Sequence, residues 1–183
     1  MNPLSWLLRP QHRLDLVAGL CDGILTALTL AAGKLLSAGD PITVGLAMRV
    51  ATAAGVSGGF ILFVAHYAEL RSELVRAERQ LNLLSHGQLA TTRLGRAVLH
   101  EAISGALIAS GCSFCGALWP LLVGAFLPAI PWCAIIVALG TLAILGGALG
   151  KVVYGSPLGW STALVLGGVV LTYVGMQLDL VGS

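Results

Sequence analysis

Apolar residues dominate this chain in long runs, and the few polar positions inside those runs fall at helical spacing. The first run, about 14–36, reads LDLVAGLCDGILTALTLAAGKLL, close to the roughly 20 apolar residues that one bilayer crossing needs. Four more follow at about 42–67, 102–127, 132–153 and 158–180. The pattern predicts an all-α integral membrane protein of five transmembrane helices. Residues 1–13 form a short polar N-terminal segment. A helical segment at about 68–100 joins the second and third spans and stays outside the bilayer. Within that segment Leu70, Leu74, Ala77, Leu81 and Leu84 form an apolar stripe, with charge on the other side.

Composition agrees with the pattern. Charged residues make up 10% of the 183 positions and mean hydropathy is +0.91, whereas soluble domains carry about 25% charge. The spans use most of the chain, so no separate soluble domain fits. The apolar run after Arg13 is too long for a signal peptide and is interrupted by Asp15 and Asp22, so it is expected to stay as a membrane helix. With the N-terminus in the cytoplasm, Arg9, Arg13, Arg71, Arg76, Arg79, Arg93, Arg96 and Lys151 fall inside, and Lys34 and Arg49 outside. That bias orients the protein with its N-terminus in the cytoplasm and its C-terminus opposite. Arg49 is expected to snorkel to the outer interface rather than pair with Asp22.

Chemistry is concentrated in the first two spans. Asp22 lies deep in the first, where a carboxylate costs about 2.5–3.5 kcal/mol on insertion scales and so faces protein, water or a cation. Asp15, Asp22, Thr26, Thr29 and Gly33 share one helix face. Their carboxylate and hydroxyl oxygens make a stripe in which Asp22, helped by Thr26 and Thr29, reads as a cation pathway; the alternative is a hydrogen bond between Asp22 and a neighbouring helix. At the inner end of the second span His66, Glu69 and Glu73 share the polar side of the helix. An imidazole beside two carboxylates suits a divalent first-row metal, with solvated charge as the alternative. Asp22 and His66 are the candidate metal ligands, and no resident cofactor is expected. Protons competing for these carboxylates give the simplest chemistry for exchange.

Several stretches together resemble the vacuolar iron transporter family of divalent metal transporters, in its compact, nodulin-like form. LVAGLCDGILTALTLAAG is similar to the family's Asp-Gly opening helix, and AHYAELRSE to its Gly-Glu-Tyr stretch. SFCGALWPLL resembles its Ser-Phe-x-x-Gly-Ala-x-x-Pro-Leu pattern, with one residue fewer between Phe114 and Gly116, and GKVVYGSPLGWSTALVLGGVVLTYVG its last helix pair. The resemblance implies a five-helix protomer and a two-fold homodimer. It also implies a path between protomers lined by the first two helices, carrying iron(II) or manganese(II) out of the cytoplasm in exchange for protons. Asp22 matches the pathway aspartate. His66 stands where the family has glutamate, and Leu62 where many members have methionine. Gly19, Gly23, Gly55 and Gly59 offer small-residue strips for the dimer contact.

Partners are therefore the bilayer, a second copy, metal ions and protons, with no nucleic acid. The location is a bacterial cell membrane or else an organelle membrane. Two other readings compete with the transporter. One is an intramembrane thiol–disulfide enzyme using Cys112 and Cys115, in a sequence that gives that pair no thioredoxin-like setting. The other is a membrane scaffold that transports nothing. The transporter reading makes the chain a non-enzyme.

Overall fold

The computed structural model describes residues 10–36, 42–80, 93–128, 130, 132–152 and 155–181. They form five helices: α1 (Pro10–Leu36), α2 (Val44–Gln80), α3 (Arg93–Phe126), α4 (Cys133–Val152) and α5 (Pro157–Val181). All five are long and apolar enough to cross a membrane. The protein is an all-α, multi-pass membrane protein, as the pattern of apolar runs requires.

The second span runs on as a polar helix, as its sequence leads one to expect, and the third span is continuous with the charged residues before it. At 1.5 Å per residue, α2 with 37 residues and α3 with 34 are about 50–55 Å long, against a hydrocarbon core of about 30 Å. Each transmembrane helix runs on without a break into a charged extension, because nothing in HYAELRSELVRAERQ stops a helix. His86 and Gly87, where the sequence marks a turn, lie outside the described residues. The sequence also offers Asp40 as a cap and Pro41 as a first-turn residue for the second span, and both lie outside the described residues. The first turn of α2 is capped by Thr43, whose Oγ1 accepts the Leu46 N–H at 3.2 Å.

α1 touches all four other helices. Its most extensive contact is with α3, which also packs closely on α2. Small side chains allow these crossings. Ala27, Ala47, Ala51, Ala54 and Ala117 are buried at the junction of α1, α2 and α3. Pro120 sits inside α3, fully buried. Its ring removes the N–H that would pair with the Gly116 carbonyl. α4 and α5 form a hairpin in which Ser161 donates to the Ala143 carbonyl at 2.8 Å. It packs on α1 through Ile24, Leu28, Ile135, Ala138 and Leu142.

Candidate cation site

Near its N-terminal end α1 carries Asp15, which is 4% exposed. Its Oδ1 lies 3.3 Å from Nε2 of His66 on α2. The third helix makes room for this pair with a glycine. A Cβ at Gly105 would stand 3.0 Å from both Asp15 Oδ2 and His66 Nδ1, closer than side chains normally pack. The pair borders a cavity of about 290 Å³ whose other walls are Leu14, Glu69, Leu70, Glu73 and Glu101. His66, Glu69 and Glu73 therefore do share one cavity, as their spacing on the helix suggests. Asp15 and Glu101 join them from α1 and α3. Low-dielectric walls carrying carboxylates concentrate cations from solution. Arg71, one turn along, turns to Tyr67 instead, donating to its hydroxyl at 3.3 Å.

The acidic cavity is an attracting surface rather than a closed coordination cage. Among the described residues no three His, Cys, Asp or Glu side chains stand close enough together to hold one ion. His66 is occupied by Asp15, and Glu69 and Glu73 are exposed.

Asp22 lies two helical turns further along α1, about 10 Å from Asp15. It is half-buried where α1, α2 and α3 meet. Ser113 of α3 donates to its Oδ2 at 2.9 Å, and the same hydroxyl lies 3.1 Å from the Ala54 carbonyl of α2. On the α2 side the carboxylate abuts Gly58, where a Cβ would be 2.6 Å from Oδ2. Thr26 and Thr29 do not join this group. The Thr26 hydroxyl donates to the Asp22 carbonyl and the Thr29 hydroxyl to the Thr26 carbonyl, both at 2.9 Å. In an apolar helix a threonine satisfies its hydrogen by bonding back one turn. Their oxygens keep lone pairs, but these hydrogens are committed to α1 itself.

The glycine strips serve a different contact from the one expected. Gly19 and Gly23 press against the α3 backbone at Ala109, Ser113 and Ala117, and Gly55 and Gly59 against Ser110 and Phe114. Both strips are consumed inside the protomer, because α3 inserts beside both helices. Arg49 is exposed near the start of α2. Cys112 is half-buried and Cys115 exposed, one turn apart on α3; Cys115 borders an apolar groove with Trp119, Leu20 and Ile144.

Sequence reasoning missed three participants. Asp15 was legible as part of the α1 stripe, seven residues before Asp22, but not as the partner of His66. Ser113 opens the SFCGALWPLL stretch but was given no role there, and Glu101 had no local signal, since each matters through the helices opposite it. Comparison with protein-family models and with curated proteins finds no match for this chain.

Proposed function

We propose that this protein is a secondary transporter that moves divalent iron and/or manganese out of the cytoplasm, in exchange for protons. The observation that carries the proposal is the line of carboxylates on α1. Asp15 borders an acidic cavity at the charged end of the bundle, and Asp22 stands about 10 Å deeper in the apolar part of the same helix. Intramembrane carboxylates are costly and are kept where ions or protons pass. Glu69, Glu73 and Glu101 gather cations at the mouth, and Asp22 replaces part of the hydration shell inside. The resemblance of four stretches to the vacuolar iron transporter family supports the same direction of transport, with the N-terminus in the cytoplasm.

α3 belongs to this reading as a third wall of the path. A homodimer, implied by the resemblance, then meets through surfaces other than the two glycine strips. The test is uptake by liposomes containing the purified protein, with iron(II), manganese(II), cobalt(II) and zinc(II) supplied in turn. Uptake driven by a proton gradient and lost in Asp22→Asn supports the proposal. No uptake of any of the four, in vesicles shown to contain folded protein, leaves the scaffold reading in its place.

A further inference from the structure

Ser113 is a fully buried polar side chain, 0% exposed, to which neither the α1 stripe nor the acidic cavity gives a role. A hydroxyl has one hydrogen to donate, and here it faces two acceptors, Asp22 Oδ2 at 2.9 Å and the Ala54 carbonyl at 3.1 Å. The ionised carboxylate is the stronger acceptor. The Ala54 carbonyl also lies within α2, where the helical ladder supplies a donor four residues on. The hydrogen therefore goes to Oδ2. Gly58 closes in on that same oxygen from the opposite helix, with room for no more than a hydrogen atom.

One oxygen of Asp22 is thus held between a hydroxyl of α3 and the backbone of α2. Resting on the transport reading, we infer that Ser113 is a positioning residue of the cation site: it fixes Oδ2 so that Oδ1 is the single oxygen Asp22 offers to the passing ion. The chemistry of the substrate follows. Among the described residues no group of three His, Cys, Asp or Glu side chains forms a cage, so an ion held at Asp22 has positions left for water and other oxygens. Hard, oxygen-preferring divalent cations accept such a site, being bound through one or two carboxylates while retaining several waters. Softer ions gain from sulfur and imidazole, whereas the groups that hold Asp22 Oδ2 are a hydroxyl and a glycine. Manganese(II) is accordingly the probe to use.

Initial rates of manganese(II) uptake into liposomes, against manganese(II) concentration, test the inference in the parent, Ser113→Ala and Asp22→Asn. Ser113→Ala is expected to raise KM about ten-fold, the scale of one hydrogen bond to a charged group, with kcat changed less than about two-fold. A second readout is the manganese-induced infrared difference spectrum. Carboxylate bands absent in Asp22→Asn should shift in Ser113→Ala, which a purely structural role for Ser113 would not produce. Loss of uptake in Asp22→Asn with an unchanged KM and unshifted bands in Ser113→Ala overturns this inference and leaves the transport reading standing. No uptake by the parent, or full uptake by Asp22→Asn, overturns both. If Ser113→Ala fails to fold, Gly58→Ala approaches the same oxygen from α2. It should likewise raise KM, and an unchanged KM there overturns the inference.

Discussion

The two halves of the molecule solve the same problem in opposite ways. From Leu14 to Phe126 the helices carry aspartate, glutamate, histidine and arginine, yet from Cys133 to Gln177 the one residue of those types or lysine is Lys151. In the hairpin of α4 and α5, adhesion comes from close backbone approach. A Cβ at Gly146 would stand 2.6 Å from the Ser161 Cα, and one at Gly150 would stand 2.7 Å from the Pro157 Cα. A hydrogen bond from Ser161 to the Ala143 carbonyl also joins the two helices. In α1, α2 and α3 the same close packing, at Gly58 and Gly105, is used to enclose carboxylates. Polar groups in hydrocarbon are retained where they act, and a hairpin that only buttresses them needs none.

The sharpest way to break this contrast is at Asp22. Asp22→Asn should abolish metal flux while leaving expression and solution size unaltered, because the amide is nearly isosteric and still accepts from Ser113. A flux in Asp22→Asn equal to the parent's would make the polar half as passive as the hairpin.

Steric tests come next in size. Gly23→Val and Gly146→Val each place a side chain against backbone, of α3 in the first case and α5 in the second, at a cost of about 1–3 kcal/mol or more. Both should lower the thermal midpoint in detergent. A Gly146→Val protein that still folds should keep the parent's KM for manganese(II), since the hairpin holds no part of the site. A ten-fold change there would show that the hairpin shapes the path.

At the cavity, Glu73→Gln and Glu101→Gln should each slow uptake by about two- to five-fold at low metal concentration and low salt. The difference should vanish at saturating metal or at about 0.5 M salt, because exposed carboxylates attract ions over distances that salt screens. Equal slowing at every salt concentration would make them direct ligands.

The smallest effects are expected away from the carboxylates. Ser161→Ala should cost about 0.6 kcal/mol, typical of a hydrogen bond between membrane helices, with flux unchanged. Replacing Cys112 and Cys115 together with serine should leave flux within about two-fold of the parent, as neither sulfur borders the Asp15 cavity or touches Asp22. Loss of a thiol–disulfide exchange activity on that double substitution would instead support the enzyme reading.

The sequence by itself determined the five helices, their limits to within a few residues over 14–36 and 132–180, and the helix face shared by Asp15 and Asp22. These follow from local rules: one bilayer thickness sets the length of an apolar run, and 3.6 residues per turn sets the face. It also placed His66, Glu69 and Glu73 on one side of a helix. What faces that side was decided by tertiary structure. Because α3 lies against both α1 and α2, the glycine strips close on α3 rather than on a second copy, His66 meets Asp15, and Asp22 meets Ser113. The extensions of α2 and α3 continue their membrane helices because hydropathy changes at the membrane surface, whereas the backbone hydrogen-bond ladder does not, and for α2 this continuity was already legible in HYAELRSELVRAERQ. Periodicity tells which residues of one helix stand together. The choice of partner across a helix crossing depends on which small residues let two backbones approach, and that is a property of pairs of segments far apart in the chain.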